Sequence, residues 1–424
     1  MKTSRLLAAM LLAGASVCAS AKDFVITDYG VSTDSTAIQS AAIQAVIDRA
    51  EAEGGGRIVV PEGTFLTGAL FFKPGTSLYL EKGAVIKGID DIAHYPLIPS
   101  RMEGRSIYYH AALINAYFVD NFSISGSGII NGNAAKFWDE FWALREERRK
   151  IGKSCTNLEV RRPRLVFMWG CDSLTISGVQ LRNSAFWTTH LYQCHNVLIE
   201  NATIYAPTKP VKAPSSDAID LDVCSNVTVR GCFIDCNDDA VCVKGGKGVY
   251  ANVSPENGIV ENVLVENCHF GPNCHGTLTM GSECIHARNI TLRDCTVDTH
   301  TSILRLKMRP DTYQIYENIT ISGVKGTCGS VIDMKPWKQF FTLEGSSLKP
   351  YGIVRNILIE NVDATIDNVG TIAGNPDDTV SNFTLKNISL KSAPGKTPEF
   401  VCNYPTVVLD NVTLDGKKVT NPAK

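Results

Sequence analysis

The chain has 424 residues, 20% of them charged and 44% hydrophobic, and its 41 basic and 43 acidic side chains leave a formal charge of −2. That composition is ordinary for a soluble globular protein, and without a net positive field nothing draws it to nucleic acid. Length alone suggests two or three domains, unless the chain is a repeat whose core grows coil by coil.

Lys2 and Arg5, the apolar run 6–17 and the small residues Ala19-Ser20-Ala21 make a secretory signal pattern. A mature chain starting at Lys22 is expected, exported to the periplasm or outside the cell. Losing Lys2 and Arg5 would take the charge from −2 to −4. No stretch reaches the roughly 18 apolar residues of a membrane span. After a strand at 24–27, Asp34-Ser35-Thr36 predicts a helix cap, with the helix running to about Ala52 and a stripe of Ile38, Ala41, Ala42, Ala45, Val46 and Arg49. Gly54-Gly55-Gly56 ends it, and short strands follow at 57–60, 63–66 and 77–80.

From Asn121 a cassette recurs: Asn, apolar, any, apolar, any, Gly or Asn, small apolar. It begins at Asn196, Asn226, Asn262, Asn289, Asn318, Asn356, Asn382 and Asn411, with variants at Asn121 and Ser173. Successive starts from Ser173 onward are 23 to 38 residues apart, too uneven for a propeller and suited to coils with loops of different length. Each coil supplies short strands that bury their apolar side only by stacking, so the pattern predicts an all-β, right-handed parallel β-helix. The whole of 22–424 reads as one such domain, with an N-terminal cap at about 22–56 containing the helix and a C-terminal cap at about 392–424. The charged segment 138–163 interrupts the repeat and is expected as a surface loop or short helix, a candidate cleft wall.

Fourteen cysteines in an exported chain suggest disulfides. Yet Cys232, Cys268 and Cys295 share a cassette slot with Ala202, Val324 and Val362, while Cys171, Cys194 and Cys224 each stand two residues before a cassette. Such slots want small apolar groups, so these six are expected as packed thiols. Cys274 with Cys284 is the pair most open to bridging.

Four segments on successive coils carry chemistry: Ser215-Ser216-Asp217, Asp238-Asp239, Cys274-His275-Gly276 and Arg305-Leu306-Lys307. With adjacent strands about 4.8 Å apart, clusters on one face would form a strip roughly 15 Å long, the length of a few sugar units. Arg305 and Lys307 share a strand parity opposite to Leu304, Leu306 and Met308, so both cations should leave the same face. Three close carboxylates cannot all ionise cheaply, and an acid beside an ionised base is what glycosidic hydrolysis needs. The rival for this set is calcium, held by Asp217, Asp220, Asp222, Asp238 and Asp239, and any single Asp could simply cap a turn. Arg161, Arg162, Arg164, Lys209, Lys212 and Lys244 are candidates for a local basic field that would attract a polyanion.

In their order these segments resemble glycoside hydrolase family 28, the polygalacturonase family, whose marks are Asn-Thr-Asp, Asp-Asp, Gly-His-Gly and Arg-Ile-Lys. The likeness extends over most of the mature chain, including 54–65, 126–132 and 183–190. It implies inverting hydrolysis of α-linked galacturonate in pectin by a monomer, with no cofactor or metal. By motif, Asp238 would be the general acid, Asp217 and Asp239 would hold and deprotonate the attacking water, and His275 would sit beside the acid. Arg305 and Lys307 would bind the galacturonate carboxylate, with Ser215 and Lys244 as further substrate contacts. The chain departs from the pattern at Ser215, Ala218 and Cys274, which puts the identity of the sugar in question and leaves rhamnogalacturonan and other pectic glycans open. A calcium-dependent lyase or a glycan-binding β-helix without turnover are the remaining alternatives.

Overall fold

The computed structural model describes residues 22–423, so the expected signal segment 1–21 lies outside the described residues. The chain winds into a right-handed parallel β-helix, the hand that parallel crossovers take. One wall is an 11-stranded parallel sheet, and 23 strands form the rest of the winding. Five of the strands in the 11-stranded wall matter below. Two further strands, β1 (Leu97–Met102) and β2 (Arg105–His110), form an antiparallel hairpin outside the winding. The wall strands are β3 (Ile219–Asp222), β4 (Asp239–Lys244), β5 (Gly276–Met280), β6 (Ser302–Met308) and β7 (Ser330–Pro336), hydrogen-bonded in that order.

The cassette asparagine has a local cause. Asn196, Asn226, Asn262, Asn289, Asn318, Asn356 and Asn382 all take positive φ, between 48° and 57°, a region asparagine tolerates better than other side chains except glycine. From Asn226 to Asn382 each donates its side-chain amide to the carbonyl oxygen of the asparagine one coil earlier, at 2.9–3.1 Å, and Asn196 ends the ladder on Asp172. The turn and the ladder thus fix each coil's register against the next. Inside, the apolar positions stack into one continuous core, with Val197, Val227, Val263, Ile290, Ile319 and Ile357 all buried and in register.

All six slot cysteines are buried, and every cysteine among the described residues is a free thiol, Cys274 and Cys284 included. The Cys274 sulfur instead meets that of Cys236, 3.9 Å away on the preceding coil.

Helix α1 (Ser40–Ala52) begins later than expected, because the Asp34 carboxylate closes a turn onto the Thr36 amide and hydroxyl, and Ile38 bridges to Leu66. Its buried face is Ile43, Val46, Ile47 and Ala50, one step round from the predicted stripe, and Ile38 is exposed. The Gln44 amide pairs with both the N–H and the C=O of Phe71, on the edge strand where the 11-stranded wall begins. The helix therefore covers an edge that would otherwise template association. At the far end the winding runs to Leu414 and closes with a short antiparallel pair, Thr413 opposite Lys418.

The interrupting segment forms a 16-residue helix, α2 (Ala135–Lys150), longer than expected. Arg162 and Arg164 are fully buried and are not part of any surface field. Arg162 donates to the carbonyls of Ala185 and Pro214 between the rings of Phe141 and Phe186, and Arg164 lies 3.7 Å from the Phe167 ring centre. Burial pulls both guanidinium groups down to about 10.

Candidate active site

The wall strands β3 to β6 place every candidate site residue around one pocket of about 350 Å³: Ser215, Asp217, Asp238, Asp239, Lys244, His275, Arg305 and Lys307. Asp217, Asp239 and His275 stand at the N-terminal ends of their strands, where register brings Asp239 opposite Gly276. Leu304, Leu306 and Met308 point into the core, and Arg305 and Lys307 leave the outer face as parity requires. Helix α2 contributes Phe141 and Arg145 to the rim, so the interrupting segment is a cleft wall.

Carboxylate oxygens of Asp217, Asp238 and Asp239 lie within 4.8 Å of one another. Their surroundings differ. Asp239 is buried, which alone would raise its proton affinity, but Lys307 and Arg305 outweigh burial and hold it below the usual range. Lys307 Nζ donates to one Asp239 oxygen at 2.5 Å, and the Thr279 hydroxyl and Arg305 Nη1 approach the other at 3.0 and 3.6 Å. Asp217 is the opposite case: burial, then the nearby Asp238 and Asp220 carboxylates, push its carboxyl well above the usual range, against a smaller pull from Lys244. Asp238 stands at the mouth, its side chain 32% exposed. The trio could offer hard oxygens to a cation, but Asp239 already receives an ammonium that the cation would have to displace.

His275 lies with Nδ1 3.9 Å from Asp238 and Nε2 3.3 Å from Lys212 Nζ. Burial keeps its ring below the ordinary histidine value, hence neutral at pH 7. Its carbonyl accepts from Arg305 Nη1 at 3.1 Å. Arg305 and Lys307 both lie under the Trp337 ring, 5.2 and 5.0 Å from its centre.

Lys244 is buried and ringed by acids, with Nζ 3.2 Å from Asp220, 3.4 Å from Glu283 and 3.8 Å from Asp217, and 4.2 Å from the Trp187 ring centre. Burial works against its charge, but these carboxylates, Asp220 foremost, hold it cationic. Burial also raises Asp220 to about 7, against the pull of Lys244. Ser215 gives its hydroxyl to Asn157 at 2.8 Å. Sequence reasoning did not single out Glu103, Asn157, Trp187, Glu283 or Trp337 as site residues. Trp187 falls in the family-like run 183–190, whereas the others sit on loops outside the cassette and carry no local signature.

The chain is 27% identical over 415 residues to an exo-poly-α-D-galacturonosidase of Dickeya chrysanthemi, an alignment covering 88% of this chain and 63% of that protein. It is 30% identical over 234 residues to a probable polygalacturonase of Vitis vinifera, covering 53% and 45% respectively. The chain thus spans less than two thirds of the length of these relatives. Among solved structures, an exopolygalacturonase from Thermotoga maritima superposes with a TM-score of 0.75 at 24% identity, covering 94% of this chain and 93% of that one. A polygalacturonase from Erwinia carotovora gives 0.63 at 20% identity, covering 99% of each; both likenesses concern the fold. The model of glycosyl hydrolases family 28 matches residues 56–412, and the chain belongs to that family.

Proposed function

We propose that the chain is a glycoside hydrolase that cleaves α-linked galacturonate bonds in pectin, exported from the cell and active as a monomer. The observation that carries this reading is one pocket in which three carboxylates, with Asp217 raised and Asp239 lowered in proton affinity, face two cations. Asp238, at the mouth, donates a proton to the leaving glycosidic oxygen. Asp239, held ionised, and Asp217 position and deprotonate the attacking water. His275, neutral beside Asp238, orients the sugar or the acid. Arg305 supplies the guanidinium that meets the uronate carboxylate, since its fork is suited to paired bonds and Lys307 is already engaged by Asp239. Ser215 and Lys244 line the same pocket, Lys244 acting through its field rather than as a free ammonium.

Inversion rests on the family likeness. The anomer first released from an oligogalacturonate, followed by proton NMR before mutarotation, tests it: β product is expected, and α product would mean a covalent intermediate instead. The hydrolase reading itself is tested on polygalacturonate with a chelator present. New reducing ends without ultraviolet-absorbing product support it, and a chelator-sensitive rise in ultraviolet absorbance would replace it with elimination.

A further inference from the structure

Resting on the hydrolase reading above, we infer that this chain acts from chain ends, removing single sugars from the nonreducing terminus. The outward-facing ladder of the 11-stranded wall changes character along its length. Phe167, His190, Asp220, Cys242, Thr279, Arg305, Asp333, Thr371 and Val401 follow one another in register. The first five are fully buried although they face away from the core. From Arg305 and Asp333, with side chains 22% exposed, to Val401 at 43%, the same face is open.

Over the coils of His190 and Asp220 the cover is the β1–β2 hairpin, whereas Cys242 and Thr279 lie against the Asp239 carboxylate. Arg101 on β1 is buried, pairs with Asp222 at 3.0 Å, donates to Asn257 at 2.6 Å and lies over the Tyr192 ring. Arg164 ties the same strand down from below, through the Arg101 carbonyl and the Ser100 hydroxyl. The hairpin turn brings Glu103 to the pocket wall beside Lys247. Overhead, Arg105 of β2 meets Glu344 of the 337–351 loop at 2.5 Å, and that loop supplies Trp337 and Phe340 to the rim. A groove for polymer is therefore stopped on the N-terminal side of Asp217. On the other side it continues past His275 and Arg305 into a second depression of about 270 Å³ that reaches Asp333, Asn368 and Thr371.

The order of the catalytic groups says which chain end is held. Asp217 belongs to the coil next to the plug, and Lys244, Trp187 and Glu283 line the pocket around it. His275 and Arg305 lie on the two coils toward the open side and border both depressions. Water held between Asp217 and Asp239 attacks the anomeric carbon of the sugar on the plugged side, while the glycosidic oxygen protonated by Asp238 belongs to the sugar on the open side. The sugar that gives up its anomeric carbon has no passage beyond it for a further unit, so it is the nonreducing terminus. The rest of the polymer leaves over Arg305.

The test uses the wild-type chain and hexagalacturonate carrying a fluorophore at its reducing end, sampled from the first few per cent of turnover. Monogalacturonate with labelled pentamer as first products is the expected result. A hexamer capped by a 4-O-methyl group on its nonreducing sugar should be cut at least tenfold more slowly. Labelled dimers and trimers at the first time point, label released with the first monomer, or equal cutting of the capped hexamer would each overturn chain-end action while leaving the hydrolase reading intact. No product from either hexamer would overturn both.

Discussion

Replacing Lys244 by Met removes the only cation within 4 Å of Asp217 among the described residues. At 3.8 Å and an effective dielectric near 20, the lost attraction is about 4 kcal/mol, equivalent to about three pH units before the site relaxes. The sign follows from the base role proposed for Asp217. The base must be ionised, the cation favours the ionised form, and without it Asp217, already raised by burial and its acidic neighbours, keeps its proton to higher pH. The acidic limb of kcat/KM on a defined oligogalacturonate should therefore move upward by at least about one unit. The same change strands Asp220 and Glu283 and should lower stability by about 3–5 kcal/mol, so folding is checked by circular dichroism, with Lys244→Gln as the milder variant. A folded variant with an unmoved acidic limb would refute the view that Lys244 tunes the base.

Asp217→Asn should stabilise the fold by an amount that grows with pH. The native carboxyl holds its proton above the unfolded value, so the native aspartate's disadvantage is absent below about pH 3.8, appears as pH rises and is complete above the folded value. Melting curves at about pH 3.5 and pH 8 would show it as a Tm gain confined to the higher pH. Arg305→Ala should raise KM for oligogalacturonate about 10- to 100-fold with a smaller change in kcat, the loss of a charge-assisted pair worth about 1.5–3 kcal/mol, and an unchanged KM would remove Arg305 as the clamp. Asn289→Ala, which removes two hydrogen bonds of the amide ladder at a left-handed turn, should cost about 1–3 kcal/mol in denaturant titrations.

Much of this was legible in the sequence because the fold is periodic. The asparagine marks a backbone need, the alternating apolar residues mark the core, and once coils stack, Asp217, Asp239, His275 and Arg305 must share a wall. The six slot cysteines followed from the same logic. What escaped lies off the period. The start of α1 was decided by an Asp34 turn, and Arg162 and Arg164 are buried struts because aromatic rings from distant coils close around them. The hairpin that plugs the groove carries no cassette, and its docking depends on Arg101 meeting Asp222, 121 residues away. The surroundings of Lys244 were equally hidden, since Glu283 reaches it from the next coil.

The division of labour among the three carboxylates is tested most directly with an α-galacturonosyl fluoride, whose leaving group departs without a proton. Asp238→Asn should lose about 10²- to 10⁴-fold in kcat on oligogalacturonate yet turn the fluoride over within about tenfold of wild type, while Asp239→Asn should fail on both substrates. An Asp238→Asn enzyme equally impaired on both, or an Asp239→Asn enzyme rescued by the fluoride, would contradict the assignment.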